Sequence, residues 1–414
     1  MTLVSKRLSQ IVAAASVLLG PSLAHGDEVT RWNAILETTV ASTPHFLQSR
    51  SAAIVQLAVF EGVNAIVGDY EPYLGTIEAP PWASPEAATA AAAHRALIAL
   101  HPERAAQLNA ELDLSLAAIP DGQEKDAGIA VGEAAADAML ALRAADGASA
   151  VVPYTPTVRP GYWRPTPPEF RPAAFVQWGQ VTPFAIHSGA RFRLNPPPNI
   201  HTGKYAQDYN EVKSLGGVVS AMRPADRADV ARFYAVVLPM PLWPAAARQA
   251  SAAQVKTLSE NARDFALLAM AVADSLIASM EMKYHYNYWR PVTSIRDGAL
   301  DGNGKTDPDP DWLSLVFTPP YPSYPGNHAS AAGAARAVLE HVYGRDGHLI
   351  TLTSPGVPDV ILQYTSWEQI TDDIDDARIY GGVHFRFDQE AGARLGRHVG
   401  HYVLQNTLRP VRGQ

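Results

Sequence analysis

Eleven of the chain's 33 prolines fall between residues 151 and 200, in a stretch that opens "VVPYTPTVRPGYWRPTPPEFRP". Proline has no N–H to donate and its ring clashes with the preceding helical turn, so this stretch excludes regular helix. On either side of it, apolar residues recur at spacings of three and four, the period of a helix buried along one face. Helices are expected at 51–67, 85–100, 105–118 and 124–145 before it, and at 201–215, 225–237, 255–288, 328–343 and 389–404 after it. One modest strand pattern, "HLITLTSPGV", stands at 348–357. These features predict an all-α chain of packed helical bundles, joined through a long proline-rich segment. Trp163, Phe170 and Trp178 lie in that segment, which points to an ordered wrap over the helices rather than a loose linker. The string "YWRP" occurs twice, at 162 and 288, in unlike contexts, and no repeat of solenoid period is present.

Composition narrows the classes further. The formal charge is 33 minus 41, or −8, with no dense basic stripe, which argues against nucleic acid as a partner. With no cysteine there are no disulfides and no thiolate metal sites. Residues 1–24 read as an export leader: Lys6 and Arg7, an apolar run at 11–19, then Ser22-Leu23-Ala24. Its removal leaves 31 minus 41, or −10. The apolar run at 265–280 is interrupted by Asp274 and bounded by Asp264 and Glu281, so a buried helix is expected there and not a membrane span. A periplasmic or secreted protein is expected.

Three stretches carry chemistry. In "KYHYNYWRP" (283–291), Lys283 and Arg290 are seven residues apart, two helical turns, so both are expected on one helix face that Pro291 ends. A Lys/Arg pair is usually a solvated face, but here Tyr284, Tyr286, Tyr288 and Trp289 surround it. In "YPSYPGNHAS" (321–330), Pro325 and Gly326 form a turn and Asn327 precedes a helix. The N–H groups of Gly326, Asn327 and His328 are then free to bind an anion, the alternative being an ordinary capped helix with a surface histidine. In "ARIYGGVHFRFD" (377–388), Arg378 offers a planar fork of donors, and Asp388 lies four residues past His384, where it can orient an imidazole. The plainer reading is a helix junction with Arg378 paired to Asp373, Asp375 or Asp376.

In this order, K-x6-R-P, a turn of Pro-Ser-Gly-His type and R-x5-H resemble the superfamily that joins vanadium-dependent haloperoxidases to type 2 phosphatidic acid phosphatases. "RWNAI", "EGVNAI", "WRPTPP" and "GGVHFRFD" are similar to its soluble haloperoxidase branch. The resemblance implies a helical-bundle fold of the vanadium chloroperoxidase kind, with one catalytic domain over 25–414 and the oxyanion site in its 255–408 half. It implies that Lys283, Arg290 and Arg378, with Gly326 and Asn327, hold the oxygens of vanadate, or of phosphate in a phosphatase. His384 would bond vanadium or attack phosphorus, His328 would be the acid–base residue, and Asp388 would orient a histidine. Substrates would be hydrogen peroxide and a halide, or else a phosphate ester. A non-catalytic oxyanion binder is the third reading, and a homodimer stays open.

The chain departs from the motif at three positions: Gly326 stands for serine, Asn327 for glycine, and Ala377 for serine. One lost hydrogen bond to a charged group is about 1.5–3 kcal/mol, so Gly326→Ser with Asn327→Gly is expected to tighten vanadate binding. Two other signals are weak. "DGNGKTDPDPDW" (301–312) has Thr306 and Trp312 where a calcium loop needs glycine and glutamate, and His398 with His401 lacks a third ligand at metal spacing.

Overall fold

The computed structural model describes residues 27–411, so the leader pattern at 1–24 lies outside the described residues. Among the described residues the chain forms α1 (Glu28–Val40), α2 (His45–Val67), α3 (Pro85–Leu100), α4 (Ala105–Ala117), α5 (Gln123–Arg143), α6 (Gly203–Leu215) and α7 (Ala225–Val236). There follow α8 (Pro239–Ala252), α9 (Leu258–Tyr286), α10 (Pro291–Arg296), α11 (Asn327–Tyr343), α12 (Trp367–Tyr380) and α13 (Arg386–Asn406). Strands β1 (Asp346–Leu352) and β2 (Leu362–Ser366) pair as one antiparallel hairpin. The fold is all-α, as the periodicity predicts. Four helices, α1, α8, α10 and α12, were not among those expected. Pro239 and Pro241 lie in the first turn of α8, where the missing N–H groups have no helical partner anyway. In α12, Trp367, Ile370, Ile374 and Ala377 are a buried stripe hidden within an acidic sequence.

Two groups of helices share one core. α2, α3 and α5 pack together, α9, α11 and α13 pack together, and α2 against α9 joins them. Helices α2 and α9 are long and apolar enough to cross a membrane, and a third span results if bent α7–α8 counts as one. In α2 and α9, however, 78% and 89% of the apolar window is buried inside the protein. Small residues set how closely α11 and α13 approach. A Cβ on Gly392, Gly396 or Gly400 would overlap the carbonyl oxygens of Gly326, Ser330 or Ala334 along α11. The N-termini of α11 and α13 are thereby brought together, and the site forms there.

No α-helix forms between α5 and α6, only short 3₁₀ turns at Trp178–Gln180 and Gly189–Phe192. The proline-rich segment is fastened to α9 by polar groups. Asp274 accepts from the backbone N–H groups of Phe184 (2.6 Å), Ala185 (2.7 Å) and Ile186 (2.9 Å). The hydroxyls of Tyr284, Tyr286 and Tyr288 donate to the carbonyls of Ala174, Leu194 and Pro198. The acid that interrupts the apolar run is therefore a clamp. Burial pushes its carboxyl up to about 6 even though three N–H groups favour the anion. Asp274→Ala leaves three donors unpaired, those of Phe184 and Ile186 buried, and is expected to lower unfolding stability by roughly 3 kcal/mol or more. Denaturant unfolding checks this, and unchanged stability would show that the clamp is dispensable.

Candidate active site

Helix α9 stops earlier than expected. Asn287 takes a left-handed conformation (φ 53°), the helix closes at Tyr286, and Pro291 opens α10 rather than ending α9. The cause is long-range pairing. Trp163 N–H donates to Asn287 (2.8 Å), Trp289 N–H donates to Gly161 (3.1 Å), and Tyr162 bridges Tyr288. The two "YWRP" strings thus meet each other. Lys283 and Arg290 do not share a helix face: Lys283 lies in the last turn of α9 and Arg290 caps the start of α10.

Both side chains nevertheless turn into one buried pocket. Lys283 Nζ donates to the carbonyls of Pro322 (2.8 Å) and Ser323 (2.6 Å). Arg290 donates from Nε to Tyr321 O (2.9 Å) and from Nη1 to Val383 O (2.8 Å). The ring of Tyr321 lies 5.4 Å from Lys283 Nζ and 5.2 Å from the Arg290 guanidinium carbon. Arg378, in the last turn of α12, donates Nη1 to Tyr234 O (3.1 Å). The ion pair that the plainer reading would give it does not form. Asp373 pairs with Arg227 and Asp376 with Arg386, while Asp375 makes no ion pair with Arg378.

Burial pulls Arg290 and Arg378 down to about 10, and it pulls Lys283 well below its usual range, with Arg290 adding repulsion. Arg290 Nη2 and Arg378 Nε are buried donors without an acceptor. The backbone N–H groups of Asn327 and His328, at the start of α11, also have no acceptor among the described residues. Three crowded cations with unsatisfied donors form a set that fits a multiply charged oxyanion. Among the described residues, no group of three or more His, Cys, Asp or Glu side chains is arranged to hold a bare metal ion.

The two histidines differ in surroundings. His384 follows Gly382, whose φ of 76° turns the chain out of α12. Its Nδ1 lies 2.9 Å from Asp388 Oδ2, which also accepts from Ser323 Oγ (2.6 Å) and the Phe385 N–H (3.0 Å). This arrangement assigns the ring proton to Nδ1 and leaves the Nε2 lone pair facing Arg290 Nη1 at 3.1 Å. Burial and the three cations hold His384 well below the usual imidazole range, so it is neutral near pH 7. Burial also pushes Asp388 up to about 6. His328, the second residue of α11, is likewise held neutral by burial and then by Arg378, and its buried Nε2 has no partner. Taken as a whole residue His328 is partly buried, whereas Lys283, Arg290, Arg378, His384 and Asp388 are buried.

Two sequence readings at the turn need correction. Gly326 N–H is not free, because it donates to the carbonyl of Asp388 (2.8 Å). Asn327 neither precedes nor caps the helix: Gly326 is the N-cap, and Asn327 Oδ1 accepts from Ser279 Oγ (2.9 Å). A further histidine was missed. His45, the first residue of α2, has a buried Nε2 without a partner, and burial followed by Arg378 lowers it to about 4. It lies in the electrostatic reach of His328 and brings the first helical group to the pocket. Its only sequence signal is a Pro-His helix start, which many helices share.

A cavity of about 1000 Å³ lies elsewhere, lined by residues of α1, α4, α8 and α9. Its cations are neutralised in pairs, Arg31 with Glu111, Arg248 with Glu37 and Lys256 with Asp264. Nothing there calls for an anion.

Residues 263–413 match the family described as the VCPO second helical-bundle domain. Vanadium chloroperoxidase of Curvularia inaequalis is 35% identical over 100 residues. That alignment takes in 22% of this chain and 16% of the relative, so it spans only a small part of that protein's length. A bacterial vanadium-dependent iodoperoxidase structure has the same fold, with a TM-score of 0.81 at 23% identity over 93% of this chain and 98% of that one. A holo-type bacterial vanadium-dependent chloroperoxidase gives 0.71 at 16% identity over 93% of each chain.

Proposed function

We propose, from the match of residues 263–413 to the VCPO second helical-bundle domain, that the protein is an exported, vanadium-dependent haloperoxidase-like enzyme. The observation that carries the proposal is the buried cluster of Lys283, Arg290 and Arg378, whose unpartnered donors ask for a tetrahedral oxyanion. Vanadate, when bound, supplies the centre at which hydrogen peroxide is activated to oxidise a halide. The chain's own part is binding and proton handling. The three cations and the N–H groups of Asn327 and His328 offset the charge of the anion. His384 offers Nε2 as the ligand atom, and Asp388 fixes its tautomer and raises its basicity. His328 Nε2, neutral and without a hydrogen-bond partner, would accept the proton of an incoming peroxide and return it to the leaving oxygen.

Phosphate is tetrahedral like vanadate and similarly charged, so one preparation should face both assays. Protein loaded with orthovanadate is expected to oxidise iodide or bromide only with peroxide, and p-nitrophenyl phosphate is offered to the same preparation freed of vanadate, which would otherwise fill the ester's place. Ester hydrolysis without halide oxidation would replace the proposal with a phosphatase acting through His384. Binding with neither activity would leave a non-catalytic oxyanion protein. Export is supported by the leader pattern at 1–24 and is tested by the N-terminus of the mature protein.

A further inference from the structure

Gln389 is completely buried, and neither its amide nitrogen nor its amide oxygen has a hydrogen-bond partner. A primary amide withdrawn from water with both ends unpaired is strongly unfavourable, so its place calls for an explanation. Gln389 continues the stripe of Gly392, Gly396 and Gly400 by one turn toward the start of α13. Those glycines lie against α11, so Gln389 stands level with the beginning of α11. Its side chain is packed against Gly326. A Cβ at 326 would overlap the amide nitrogen and lie 2.9 Å from Cδ and 3.0 Å from Oε1. The adjoining groups are the unpaired N–H groups of Asn327 and His328 and, next in the chain, the Asp388 that holds His384.

We infer that Gln389 is an oxyanion-binding residue, whose Nε2–H₂ donates to an oxygen of the anion held at the start of α11, in space that Gly326 leaves open. The inference rests on the oxyanion reading of the pocket. Glycine at 326 and glutamine at 389 are complementary: a side chain at 326 would displace the amide, and loss of the amide makes room for one. It follows that Gly326→Ser, which the motif comparison favoured together with Asn327→Gly, is expected when made alone to weaken binding rather than tighten it.

Gln389→Leu keeps the bulk and removes the donor. Calorimetric titration with orthovanadate, and separately with inorganic phosphate, is expected to show about 10- to 100-fold weaker binding of both, the effect of one hydrogen bond to a charged group. Thermal unfolding without anion should be no lower than in the parent. In the double variant Gly326→Ser/Gln389→Ala the serine has room, and binding should be tighter than in Gln389→Ala. If Gln389→Leu does not fold, Gln389→Glu has the same shape and should bind both anions more weakly than the parent. Parent-like affinity in Gln389→Leu or Gln389→Glu would overturn this inference and leave the proposed function standing. A parent protein that binds neither anion would overturn both.

Discussion

His384→Ala is expected to lose vanadate on gel filtration and with it all halide oxidation, whereas His328→Ala should retain the anion and lose turnover roughly 10²–10⁴-fold. The two imidazoles are similar in burial of Nε2 and in being neutral, but they differ in what holds them. His384 is fixed by Asp388, itself held by Ser323 and the Phe385 N–H, so its Nε2 lone pair is aimed before any ligand arrives. His328 has no such partner, so its buried Nε2 is left free to take and give back a proton. Asp388→Asn should resemble a weak His384 variant, because the amide cannot favour the same tautomer. If His328→Ala loses the anion while His384→Ala keeps it, the two roles are exchanged.

Arg378→Met should separate stability from binding. Without an oxyanion, Arg378 is a buried cation repelled by Arg290, with the carbonyl of Tyr234 as its one acceptor among the described residues. Replacing such a charge by an apolar side chain of similar length is expected to raise anion-free stability by about 1–4 kcal/mol. The same change removes donors of about 1.5–3 kcal/mol each to a charged oxygen, so vanadate affinity should fall roughly a hundredfold or more. Saturating vanadate should then reverse the order of the two melting temperatures, since a bound ligand stabilises only the protein that binds it. A variant less stable than the parent without anion would mean that the chain itself already neutralises Arg378.

Much of this fold is written locally. The limits of α3 follow from Pro85 at its start and its alanine-rich run, and the three site-bearing stretches are visible as charged or histidine residues beside helix breaks. The failures are long-range. Asn287 ends α9 because residues 161–163 pair with 287–289, a contact across more than a hundred residues. Gly326 reads as a lost serine until Gln389 is seen packed against it. His45 belongs to a helix whose only local message is apolar, and its place beside Arg378 depends on how α2 docks on α9. Side chains that enter a site from another element leave no spacing to read.

One tetrahedral oxyanion is expected to occupy the space among Lys283, Arg290, Arg378, His328 and His384. Crystals grown with orthovanadate and measured at the vanadium absorption edge address it directly. A single anomalous peak is expected at His384 Nε2, with Arg290 and Arg378 on the oxygens around it. A peak elsewhere, or none at saturating vanadate with the five side chains ordered, would contradict it.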